Sequence, residues 1–193
     1  MYAFFMTPPI AILLSSLLFL GACASTTATP ADNRPFATVS SLQEISGVYQ
    51  NRGEGDERYR PIYLSALLWP DDASLNHAEI DTITVVQTAA DVVEVTARQG
   101  RQTIKSGRYV EGEHFRIEDG HLHLGTQAGM AGLKAGEPLL GAYRQEVELG
   151  LDTAGQGKAR QHTSVAGLAF LLIPVAADST EEVRFLRLST VPE

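Results

Sequence analysis

Apolar and polar residues alternate through much of the chain beyond about Glu79. Ile83 and Val85 are separated by polar residues, residues 88–91 turn the chain, and Val93, Val95 and Ala97 alternate again. Gln99-Gly100-Arg101 makes another turn. A strand over Thr103 to Val110 follows, then a turn at Glu111-Gly112-Glu113. A period of two marks strands with one buried face. The clearest hairpin is His114 to Gly125, with Asp119-Gly120 as its two-residue turn. This register sets Phe115 opposite Leu124 and Ile117 opposite Leu122 on one face. Arg116 then faces His123 and Glu118 faces His121 on the other. An apolar face and a polar face predict a sheet with one side on a core and one in water.

Residues 125–136 carry four glycines, Gly125, Gly129, Gly132 and Gly136, and are expected to form a flexible loop. Two long segments follow, Leu139 to Leu151 and Lys158 to Val175, joined by a turn at residues 153–157. Val183 to Val191 is the last expected strand. The one helical candidate is Pro61 to Trp69, with Leu64, Leu67 and Leu68 at i, i+3 and i+4 and Pro70 as a stop. The predicted fold is mainly β: a single antiparallel meander, barrel or sandwich, of about eight strands with one short helix. Residues 166–173 are apolar on both prospective faces. The Pro61–Trp69 segment is the expected cover, with a partner or lipid as the alternatives.

The N-terminal pattern is different. Ile10 to Leu20 is apolar apart from Ser15 and Ser16. A run of about 11 residues fits the apolar region of a secretory signal and is too short for a spanning helix of about 20. Met1 to Thr7 has no Lys or Arg, a departure from the usual charged start. The run ends in Leu20-Gly21-Ala22-Cys23, and Cys23 is the only cysteine. Residues 24–39, rich in Ser, Thr, Ala and Pro, show no apolar period and are expected to be a flexible tether. The expected organisation is a signal peptide over 1–22, Cys23 with its tether over 23–39, and a β domain over 40–193.

Leu20-Gly21-Ala22-Cys23 resembles the lipobox of bacterial lipoproteins. The resemblance implies cleavage before Cys23, a diacylglyceryl group on its sulfur, and usually an amide-linked acyl chain. Ala24, where an Asp resembles an inner-membrane retention signal, points to the outer membrane. Gly47-Val48-Tyr49 resembles the Gly-x-aromatic start of the first strand in lipocalin-like barrels. That resemblance implies a barrel able to carry a small apolar ligand.

The chain is 44% hydrophobic and 20% charged, with a formal net charge of −8. This is the composition of an ordinary folded domain. Its three lysines, Lys105, Lys134 and Lys158, and its scattered arginines form no basic stripe, so a nucleic-acid partner is not expected. An acidic surface is repelled by anionic lipid, which leaves membrane attachment to an acyl anchor.

Few residues suggest chemistry. His121 and His123 share a strand face, and His114 lies on the paired strand. Three imidazoles could hold zinc or copper, although Arg116 in the same group works against a cation. The loop at residues 51–60 lacks the acidic ladder of a calcium loop. No Gly-x-Ser-x-Gly or Ser-x-x-Lys motif occurs; Ser164 follows His162 by two, and Asp71-Asp72 are not marked as an acid–base pair. The expected protein is a non-catalytic, cofactor-free lipoprotein of the outer membrane. Its expected role is binding or structural within the envelope, with an envelope protein or an apolar ligand as partner. The alternatives are a carrier of an apolar ligand and an inhibitor of a hydrolase.

Overall fold

A computed structural model describes residues 23–55, 61–131, 139–169 and 173–190. The leader, with Leu20, Gly21 and Ala22, lies outside the described residues, as do Gly132, Gly136 and residues 170–172. Among the described residues thirteen strands form two sheets, and the sheets do not close into a barrel. A sandwich-like fold is therefore the outcome, and the barrel implied by Gly47-Val48-Tyr49 does not form.

The first sheet contains β1 (Cys23–Ala28), β2 (Phe36–Ala37), β7 (Phe115–Glu118), β8 (His121–Leu124), β9 (Gln127–Ala131), β10 (Leu139–Asp152), β11 (Gly157–Ala169) and β12 (Ile173–Phe185). Its main path runs β1-β12-β11-β10-β8-β7, with β2 and β9 also pairing with β10. The second sheet contains β3 (Gly47–Gln50), β4 (Thr82–Ala89), β5 (Val92–Gln99), β6 (Gln102–Val110) and β13 (Arg187–Ser189), ordered β13-β3-β4-β5-β6. The count exceeds the eight expected because short edge strands complete both sheets.

The alternating residues Ile83, Val93, Val95 and Ala97 are all buried. They meet Phe115, Leu122, Val147, Leu151, Val183 and Phe185 from the other sheet in one core. The hairpin at residues 114–125 has the expected register, Phe115↔Leu124 through Glu118↔His121. Its turn places Asp119 at φ 52° and Gly120 at φ 78°, the two positive values a tight hairpin turn requires. Gly120 also admits the chain at Thr38, which a methyl group there would meet at 2.5 Å.

The helix α1 (Leu64–Leu68) is shorter than the Pro61–Trp69 segment and turns Leu64 and Leu67 into the core. It is held by Asn51, which opens the stretch expected to be a solvated loop yet is fully buried. Asn51 accepts from the Ser65 backbone N–H (2.8 Å) and donates to the carbonyls of His77 (2.8 Å) and Ile80 (3.0 Å). A buried amide with three satisfied partners fixes the helix more firmly than its five residues could alone.

Four expectations are corrected. The glycine-rich stretch 125–136 is not all loop, because β9 pairs with β10 from Gln127↔Gln145 to Ala131↔Gly141. Lys158 to Val175 is not one segment: β11 ends at Ala169 and β12 begins at Ile173. The expected strand Val183 to Val191 is split at Leu186, with β12 in one sheet and β13 in the other. Residues 24–39 do not form a free tether. β1 lies parallel to β12 from Cys23↔Ala176 to Ala28↔Glu181, Phe36 and Ala37 pair with β10, and Val39 is buried. Polar contacts rather than an apolar period hold this segment, which is why the sequence pattern hides it.

The central strands β10, β11 and β12 are 14, 13 and 13 residues long. Their core residues Val147, Leu151, Ala159, Val183 and Phe185 all lie in one half. The other half runs on past the core for about eight residues, or about 25 Å at strand rise.

Replacing Asn51 with Ala strands two carbonyls and one N–H in the interior. Stability is expected to fall by about 2–4 kcal/mol, read from the urea midpoint at unchanged slope.

Candidate functional site

The strongest electrostatic feature is a buried cluster where the N-terminal segment crosses the long strands. Lys158 on β11 and Glu182 on β12 are both buried, and Lys158 Nζ lies 3.0 Å from Glu182 Oε2. Lys158 also donates to Asn33 Oδ1 (2.7 Å) and to the Arg34 carbonyl, and Asn33 Nδ2 donates back to Glu182. Arg160 holds the second Glu182 oxygen at 2.7 Å and reaches Glu148 at 3.0 Å. The Phe36 ring lies 5.1 Å from both the Lys158 ammonium and the Arg160 guanidinium. Burial raises the Glu182 carboxyl. The hydrogen bonds from Lys158, Asn33 and Arg160 and the Lys158 charge outweigh that and hold it below the ordinary carboxylate value. Every charge here is compensated, so the cluster is a clamp with no free group for catalysis.

Further along the same face of β11 and β12 stand His162, Ser164, Asp178 and Thr180. Ser164 Oγ lies 3.2 Å from His162 Nε2 and donates to Asp178 Oδ1 at 2.7 Å. His162 Nδ1 meets Thr180 Oγ1 at 3.2 Å. The spacing of His162 and Ser164 is visible in the sequence; Asp178 enters only through the β11–β12 register. These are the residue types of a nucleophilic triad in the wrong order. A triad needs the carboxylate on the histidine nitrogen remote from the serine. Here Asp178 approaches the serine and the same Nε2, at 3.7 Å. Ser164 also sits mid-strand between two paired neighbours, so its backbone N–H is committed to the ladder and gives no oxyanion hole.

The three histidines expected as metal ligands do not converge. His114 precedes β7, accepts from the Val110 N–H at 3.2 Å and packs edge-on to Tyr109. His121 lies against Phe36 with ring centroids 4.4 Å apart. His123 is paired in register with Arg116 and Glu148. Among the described residues no group of three or more His, Cys, Asp or Glu side chains could hold a metal ion.

Between the sheets lies an apolar cavity of about 80 Å³, lined by residues including Ile45, Tyr49, Leu68, Val85, Tyr109 and Leu149. Tyr49, the aromatic of the Gly47-Val48-Tyr49 triplet, donates to the Ile45 carbonyl at 2.7 Å, and burial pushes its hydroxyl up to about 12. Cys23 stands at the opposite, outer edge of the first sheet, at the start of β1. Among the described residues no helix is long and apolar enough to cross a membrane.

The comparisons name no relative. No family model, no curated protein and no solved structure matches the chain.

Glu182→Gln removes the charge that Lys158 requires while keeping the shape. The expected loss is about 3 kcal/mol near neutral pH, as for breaking a buried pair. A carboxyl lowered on folding contributes stability above its unfolded value, here 4.5, and loses it as the pH falls through the lower folded value. The gap between wild type and Glu182→Gln should therefore narrow in acid below about pH 4, measured by denaturant melts across pH.

Proposed function

We propose that the chain is a lipoprotein of the bacterial outer membrane, acylated at Cys23, with a non-catalytic binding or structural role in the cell envelope. The observation that carries this reading is the stretch Leu20-Gly21-Ala22-Cys23 with its sole cysteine. Each buried methylene contributes about 0.8 kcal/mol, and two or more chains make a stable attachment where one does not. The compensated charges and misordered Ser164–His162–Asp178 group favour a non-catalytic role.

The carrier alternative finds less support. A dry cavity of about 150 Å³ accommodates benzene. The interior cavity here is about 80 Å³, too small for an acyl chain. No feature of the sandwich favours a hydrolase inhibitor.

Cys23→Ser is expected to move the protein from the membrane pellet to the soluble periplasmic fraction and to abolish incorporation of labelled palmitate. A Ser variant that still pellets in full overturns the proposal. Lipid extraction of the purified protein addresses the carrier: a stoichiometric apolar ligand that persists in Cys23→Ser would favour it.

A further inference from the structure

The strand registers draw one transverse line across the first sheet. Cys23 on β1 pairs with Ala176 on β12, Ala176 with Ala166 on β11, Ala166 with Ala142 on β10, and Ala142 with Met130 on β9. Two residues towards the body, on the same face, the corresponding line is Ser25, Asp178, Ser164, Arg144 and Ala128. From the Cys23 line outwards, no described residue of β9 to β12 is charged. Both faces are apolar there: Leu140, Leu168 and Pro174 share one, Val175 and Ile173 the other.

Leu140 and Val175 are half-buried, but much of this surface is uncovered. Met130 is 59% exposed, Leu168 41% and Ile173 55%. The helix does not serve as their cover, since Leu64 and Leu67 are spent on the core at the far half of the strands. Tyr143 stands one position inside the Cys23 line, its ring packed on Gly129, where an added methyl would meet it at 2.7 Å. A tyrosine at a boundary between polar and apolar surface matches the aromatic belts of membrane proteins.

We infer that this projecting end of the sandwich dips into the interfacial region of the same bilayer that holds the acylated Cys23, making a second, non-covalent membrane contact. The inference rests on the lipoprotein reading. Cys23 fixes the occupant, because its acyl chains bring lipid to the line where the uncharged surface begins. Ile173 lies three residues beyond that line, about 10 Å at strand rise. Interfacial elements bury their apolar faces by about 5–10 Å. Deeper entry is opposed because, among the described residues, β12 has no partner beside it beyond Cys23, and hydrocarbon does not tolerate unpaired strand edges. Among the described residues this surface carries no charge, which lets an acidic protein approach lipid that its body repels.

The test uses the full chain, matured and acylated in a Gram-negative host and reconstituted into vesicles with or without brominated acyl chains. Two single variants are made, Leu168→Trp and Ile173→Trp; the native Trp69, packed beside Gly107 in the body, is the internal control. The added tryptophan is expected to emit at shorter wavelength and to lose most of its emission in brominated vesicles, while Trp69 is unchanged. A protein that pellets through acylated Cys23 while neither added tryptophan is quenched overturns the inference alone. A blue shift without quenching also overturns it and assigns the surface to a second protein copy. If mass spectrometry finds Cys23 free, the lipoprotein reading fails; brominated vesicles added to the soluble chain then decide the surface, with quenching supporting lipid contact and its absence overturning it.

Discussion

A buried ammonium group cannot be left without acceptors, and Lys158 obtains two of its three from the N-terminal segment. Glu182 is its strand neighbour, but Asn33 and the Arg34 carbonyl belong to residues that the sequence pattern would release into solvent. Removing either side leaves an uncompensated charge in the interior, which costs more than an exposed ion pair could return. The segment is therefore bound to the sheet by polar necessity. Phe36 strengthens the arrangement, its ring lying against Lys158, Arg160 and His121. Once residues 33–37 are fixed, β1 can run only a short distance, and it runs along β12 with Cys23 at the far end.

That constraint changes what residues 23–39 do. A coil of that length would set the domain at a variable distance from Cys23, of order 20–25 Å. A strand paired along β12 sets it at a fixed one. The long strands β10 to β12 make this possible because their composition changes along their length. The body half buries Val147, Ala159, Val183 and Phe185 against the second sheet. The next residues carry Arg160, Glu148, His162 and Asp178, and the described residues of the outer end are uncharged.

The parts of this fold that the sequence discloses are those governed by apolar periodicity and turn chemistry. The hairpin at Asp119-Gly120 is disclosed in full register, because positive φ at both turn positions and the separation of Phe115, Ile117, Leu122 and Leu124 leave no competing slip. Val93, Val95 and Ala97 are similarly plain. The hidden parts obey other forces. β9 carries a glycine because the Tyr143 ring occupies its side-chain position. β12 lacks alternation because its inner half pairs with a charged clamp and its outer half is apolar on both faces. Asn51 reads as loop and is buried, since its side chain does the backbone's hydrogen bonding. Among candidate site residues, His162 and Ser164 could be found by spacing, whereas Asp178 needed the register. The histidines 114, 121 and 123 shared a predicted face but were recruited separately, by Val110, Phe36 and Arg116.

The clamp and the uncharged end have opposite demands on water, and their separation along the same strands gives the molecule its polarity. Charges at the clamp are stable only where protein groups replace solvent. Alanines 142, 166 and 176 put only small side chains on the line where Cys23 stands. Beyond that line stand the larger apolar side chains of Leu168 and Ile173, both exposed, an arrangement that marks an interaction surface. A free tether would let that surface point anywhere. Binding Asn33 and Arg34 to Lys158 and Glu182 removes this freedom, so Cys23 is held beside the apolar strand ends, at the opposite end of β12 from the clamp. The place of Cys23 beside the apolar strand ends thus follows from how one buried lysine is satisfied.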